Sequence, residues 1–109
     1  MKLTITARHF KAKDSLQSYI KDKINDLEKY NGNILFTDVI LSSENSNEEL
    51  ISCEIVLKMK EKILTAKESN GDSTKVFDKA FNKIESQLYK YMDKIKNKKY
   101  NKENIKIKS

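Results

Sequence analysis

The run from Gly71 to Lys96, GDSTKVFDKAFNKIESQLYKYMDKIK, limits most strongly what this chain can become. Wound at ~100° per residue, it gathers Phe77, Ala80, Phe81, Ile84, Leu88, Tyr91 and Ile95 on one side, in steps of three and four. A helix with one apolar stripe has to bury it against a second layer. Beside that stripe lies a row of lysines, Lys75, Lys79, Lys83, Lys90 and Lys94. Asp78 and Glu85 take the opposite flank, and Asp93 falls at the edge of the lysine row. An ordinary surface helix mixes its charges, whereas this one sorts them.

The sorting costs stability. Lys75–Lys79, Lys79–Lys83 and Lys90–Lys94 are like-charge pairs four residues apart, each destabilising an isolated helix by ~0.2–0.5 kcal/mol. Packing of the apolar stripe can offset the penalty but does not explain the arrangement. An external polyanion would, because its phosphates neutralise the row and release counterions. The alternative is a solvated face in a lysine-rich chain, which composition by itself favours. The ordered row moves the reading towards an anion-binding helix.

A chain of 109 residues fits one domain, which buries roughly 60–70% of its unfolded surface. Cys53 is the only cysteine, so no intrachain disulfide is available and nothing points to an oxidising compartment. The opening MKLTITARHF alternates apolar and polar residues and lacks the apolar core of a signal peptide. No segment approaches the ~18 apolar residues of a membrane span. A cytoplasmic location without membrane attachment is the expectation. The net charge of +6 and pI near 9.3 ask for an acidic partner, nucleic acid first and anionic membrane second.

Along the chain, Lys2 to Arg8 alternates with Leu3, Ile5 and Ala7 on one face and predicts a strand. Asp14 or Ser15 then caps a helix through Tyr30, with Leu16, Tyr19, Ile20, Ile24 and Leu27 as its apolar stripe. Lys23 falls inside that stripe, which suits a stem lying on the core edge and an ammonium in solvent or on a ligand. Asn31-Gly32-Asn33 ends the helix. Leu35 to Glu44 predicts a second strand with Val39, Leu41 and Ser43 in phase, followed by the polar connection 44–49.

Ile51 to Met59 is the clearest strand, with Cys53, Ile55, Leu57 and Met59 pointing one way. A turn at Lys60-Glu61 leads to a fourth, Lys62 to Ser69, weakened because Glu68 falls in phase with Leu64 and Ala66. Asp72 or Ser73 caps the last helix. From Asn97 to Ser109 the chain is rich in Lys and Asn and aperiodic, which predicts a disordered basic tail after a 1–96 domain. The order β-α-β-β-β-α predicts an α+β two-layer sandwich, a four-stranded sheet with both helices on one face. Lys23 and the lysine row would then share one surface.

The residues give little for catalysis. His9 and Cys53 are the one imaginable nucleophilic pair, but Cys53 sits on the apolar phase of its strand and reads as an inert core residue. One His and one Cys cannot form a structural zinc site. With only Gly32 and Gly71, the chain has no glycine-rich phosphate loop. Neither an enzyme nor a cofactor is expected. Arg8-His9, where the first strand leaves the sheet, suits a solvated strand end and a contact site about equally.

Three blocks resemble the bacterial ribosome hibernation promoting factors and ribosome-associated inhibitors. Ile5-Thr6-Ala7-Arg8-His9 looks like the family's I-T-G-R-H. The helix Tyr19 to Tyr30, YIKDKINDLEKY, is similar to Y-V-x-x-K-L-x-K-L-E-K-Y. Lys83 to Tyr91, KIESQLYKY, is close to K-L-E-x-Q-L-x-K-Y. The resemblance covers about residues 1–96. It implies the same fold, likened to double-stranded-RNA-binding modules, and a non-enzymatic factor, monomeric when free. Such a factor binds the small ribosomal subunit and its rRNA, competes there with mRNA and tRNA, and silences idle ribosomes in stressed or stationary-phase cells.

By position, the resemblance implies rRNA contacts at Arg8, His9, Lys23, Lys83, Lys90 and Lys94. Lys75 and Lys79 come from the lysine row alone. The chain departs from the pattern with Ala7 for a common Gly, Gln17 and Ser86 for frequent Arg, and Thr74 for a frequent Tyr. Its length suits a short member, and its basic tail suits the promoting type over the acidic-tailed inhibitors. A generic module for structured RNA and a protein-interaction domain using the open sheet face are the competing readings.

Overall fold

Alternation in the strands and helical periodicity in the helices give six elements in a computed structural model. Its described backbone covers residues 1–30, 34–43 and 50–108, and its described side chains cover 1–27, 34–43 and 50–94. The elements are β1 (Lys2–Arg8), α1 (Asp14–Tyr30), β2 (Ile34–Ser43), β3 (Ile51–Met59), β4 (Ile63–Asn70) and α2 (Ser73–Lys108). The strands form one sheet in the order β1-β2-β3-β4. β1 runs parallel to β2, and the other two pairings are antiparallel. The fold is the expected α+β two-layer sandwich.

One face of the sheet carries the core. Val39, Leu41, Cys53, Ile55 and Leu57 are fully buried there, together with Ile20 and Ile24 of α1 and Phe77, Ala80, Ile84 and Leu88 of α2. Both helices therefore cover the same face. Val76 is also fully buried, one position before the stripe that the periodicity marked. Thr37 and Ser43 are polar members of the layer, and the Thr37 hydroxyl donates to Met1 Sδ at 3.2 Å.

Three local details differ from expectation. Lys13, not Asp14 or Ser15, occupies the cap of α1, its carbonyl accepting from Gln17 N at 3.0 Å. Asp14 is instead the first helical residue, where its carboxylate complements the helix dipole. Leu35 is the extra residue of a register shift between Ile34 and Phe36. That shift turns Ile34 inward and leaves Leu35 54% exposed. The backbone of α2 stays helical to Lys108, where the Lys- and Asn-rich composition predicts a disordered tail from Asn97. No Gly or Pro follows Gly71 to stop the helix, and Lys is a good helix former. The expected helix end at Asn31-Gly32-Asn33 and the connection 44–49 lie outside the described residues.

Candidate nucleic-acid interface

The start of α2 is set by Asp72, whose Oδ1 accepts from Thr74 N at 2.9 Å and Lys75 N at 3.1 Å. Its carbonyl takes the first helical bond from Val76 N at 2.9 Å. With the helix phase fixed at this end, its two charged flanks face different neighbours. The acidic flank faces α1. Tyr19 donates its hydroxyl to Asp78 Oδ1 at 2.6 Å, and Glu85 lines a groove with Lys23, Asp26, Leu27 and Phe81. The bond to Asp78, then burial, then the nearby negative charge push the Tyr19 hydroxyl above its ordinary 10.0.

Lys23 sits in the same joint. It is half-buried, with its ammonium 5.7 Å from the ring centre of Tyr19 and 5.7 Å from that of Phe81. Those rings belong to an aromatic cluster in which Tyr19 meets Phe77 edge-on at 5.9 Å, and Phe77 meets Phe81 at 5.7 Å. The cluster explains how a lysine fits an apolar stripe: its charge rests against two ring faces at the core edge.

The opposite flank faces β4 and solvent. Gln87 Nε2 donates to the Thr65 carbonyl at 2.8 Å, and Lys83 forms an ion pair with Glu68 of β4. Glu68, the residue that spoiled the apolar phase of β4, is half-buried on the helix side and has a cation to meet. Lys75, Lys79, Lys90 and Lys94 are exposed, and no carboxylate among the described residues pairs with them. The lysine row thus lies along α2, and Lys23 sits in the joint between α1 and α2. Glu85 lines the groove that holds Lys23, and Asp78 bonds Tyr19 in the same joint.

Arg8 and His9 are both exposed at the end of β1. His9 has φ 66°, a left-handed conformation that His tolerates better than most residues and that turns the chain out of the edge strand. Just beyond it, a recess of about 680 Å³ is lined by Phe10, Lys11, Lys13, Leu16 and Tyr19, among others. Lys11 and Lys13 extend Arg8-His9 into a second basic cluster. Neither lysine is among the contacts expected from sequence, although R-H-F-K-A-K carries the signal in plain view.

His9 is exposed and Cys53 is fully buried, so they do not form a nucleophilic pair. Burial, with the adjacent Glu54 carboxylate, pushes the Cys53 thiol up to about 12. Such a thiol is not a nucleophile at neutral pH. Among the described residues no cluster of His, Cys, Asp and Glu could hold a metal ion. No described helix is long and apolar enough to cross a membrane.

Two solved structures share this architecture. The N-terminal domain of Protein Y from Thermus thermophilus is 21% identical, with a TM-score of 0.72 over 84% of this chain and 99% of that one. A ribosomal subunit interface protein from Coxiella burnetii is 19% identical, with a TM-score of 0.76 over 85% and 99%. At such identities the likeness establishes the fold. Residues 3–96 also match the family described as Sigma 54 modulation protein / S30EA ribosomal protein. That match takes in α1, the sheet from Leu3 onward and α2 as far as Lys96, with Arg8, His9, Lys11, Lys13, Lys23 and the lysine row inside it, and the chain belongs to this family.

Proposed function

We propose that this protein is a ribosome hibernation factor that binds the small ribosomal subunit along the mRNA and tRNA path and excludes both sterically. Membership of the S30EA family gives it a ribosome-associated role. The observation that carries the finer reading is the flank of α2: Lys75, Lys79, Lys90 and Lys94 are exposed without a carboxylate partner among the described residues. Asp78 and Glu85 of the same helix are turned onto α1, while Asp93 stays exposed at the edge of the row. Phosphates of folded rRNA would neutralise the row, with affinity from charge and shape rather than base reading. Arg8 and His9, with Lys11 and Lys13, would add a second contact at the end of β1.

On this reading the factor acts in the cytoplasm, uses no cofactor, and is monomeric when free. Residues 1–96 carry the binding, and 97–109 form a basic appendage. Sedimentation of ribosomes from stationary-phase cells tests the proposal. The protein should travel with small subunits and stay bound in excess duplex RNA. Recovery only in the soluble fraction would overturn it, and displacement by bulk duplex would leave a generic RNA-binding module.

A further inference from the structure

The face of the sheet turned away from the helices carries a patch that rRNA binding through α2 does not use. The register pairs Lys2 with Phe36, Phe36 with Lys58, and Lys58 with Ile63. These four side chains form one row across all four strands, on the face opposite Leu57 and Leu64. At ~4.8 Å between strands the row is roughly 14 Å long. Leu35, displaced by the bulge, lies beside Phe36, and Lys60, Glu61 and Lys62 form the turn between β3 and β4. Leu35 is 54% exposed and Ile63 55%. Single exposed apolar residues are ordinary, but a cluster framed by one sign of charge marks an interaction site.

The chemistry narrows the occupant. Lys2, Lys58, Lys60 and Lys62 outnumber the two acids nearby, Glu61 and Asp38, so the partner is negative. RNA would satisfy the lysines and could stack a base on Phe36 but would leave Leu35 and Ile63 in water, because aliphatic side chains give bases nothing to stack on. A row only roughly 14 Å long suits a short segment rather than a folded domain. We infer that this end of the sheet docks an acidic amphipathic segment of a partner protein. Its carboxylates lie on Lys58, Lys60 and Lys62, and its apolar side chains on Leu35, Phe36 and Ile63.

The test uses the full-length protein, isotope-labelled, titrated with a short synthetic helical peptide of glutamate and leucine in amphipathic order. Amide shifts should concentrate at Leu35, Phe36, Lys58 and Ile63. The double variant Leu35→Ser/Ile63→Ser, altered only at exposed positions and checked by melting, should bind about tenfold more weakly. Lys60→Glu/Lys62→Glu should lose binding by a different route. Unchanged affinity in the serine variant would overturn the inference, since charge alone would then explain the binding. Shifts concentrated on the α2 lysines would also overturn it. So would an unresponsive row that answers to phosphatidylglycerol vesicles or to duplex RNA instead.

Discussion

On one flank of α2, Asp78 accepts a hydrogen bond from Tyr19 and Glu85 lines the groove around Lys23; on the other, Lys83 alone of five lysines has a described carboxylate to meet. The helix is one piece of chain with one core stripe, yet its two flanks serve different ends. The acidic side helps hold α1 against α2 within the molecule. The basic side carries three like-charge pairs that cost stability and are not offset by internal partners, apart from Lys83. On the proposed function a ligand accounts for the basic flank, whereas the fold itself accounts for Asp78 and Glu85 on the acidic one. Four perturbations separate the two, from the largest expected effect on stability to the smallest.

Between the flanks lies the stripe that carries both. Leu88 is fully buried, so Leu88→Ala should destabilise the domain by about 2–5 kcal/mol. For a domain of this size that lowers the melting temperature by roughly 4–8 °C per kcal/mol. A melt near that of the wild type would mean that α2 is not held by this stripe, and the distinction between its flanks would lose its frame.

On the acidic flank, Tyr19→Phe removes the bond to Asp78 and should cost about 0.5–1.5 kcal/mol. The pH dependence sharpens the point. Folding raises the Tyr19 pKa above 10.0, so the protonated hydroxyl is the form that folding favours. Its contribution is complete below the unfolded value and is lost as pH rises through the folded one. Denaturant titrations at neutral and strongly alkaline pH should therefore show the wild type losing more stability than Tyr19→Phe. Equal losses would show that the hydroxyl is not a fastening between the helices.

Lys83 is the exception on the basic flank. Its side chain is 57% exposed and that of Glu68 21%, and a pair this open contributes about 0–1 kcal/mol. Glu68→Gln should accordingly change the melt little while freeing Lys83 for an external anion, so ribosome affinity should stay level or rise. A fall in affinity would show that Glu68 positions Lys83 for binding.

Much of this arrangement was legible in the chain, because it rests on period. The alternation of Cys53, Ile55, Leu57 and Met59 and the three-four spacing of Phe77 to Leu88 each depend on one element, and each matches the burial found. Asp72 was legible as a cap for the same reason, its role being local. Features that depend on two elements meeting were not. The Glu68–Lys83 pair looked like a flaw in β4 on one side and a free lysine on the other, until the helix lay over the strand. The bond from Tyr19 to Asp78 spans 59 positions, and no pattern within either helix encodes it. Lys23 was recognised as a lysine inside an apolar stripe, but not as a cation resting between rings from two helices.

The smallest effect on folding should come from Lys90, exposed and without a described partner. Lys90→Ala should melt as the wild type does, or slightly higher, because it removes the like-charge pair with Lys94. Its effect belongs to binding. The central claim, that the basic flank of α2 exists for an external polyanion, is tested most directly by ribosome affinity of Lys90→Ala across a range of salt concentrations. The account predicts a slope of log K against log salt shallower than wild type by roughly 0.7–0.9, with an unchanged melt. A variant that keeps both the wild-type slope and the wild-type melt would make Lys90 a solvated residue, and the same result at Lys75, Lys79 and Lys94 would contradict the claim for the whole flank.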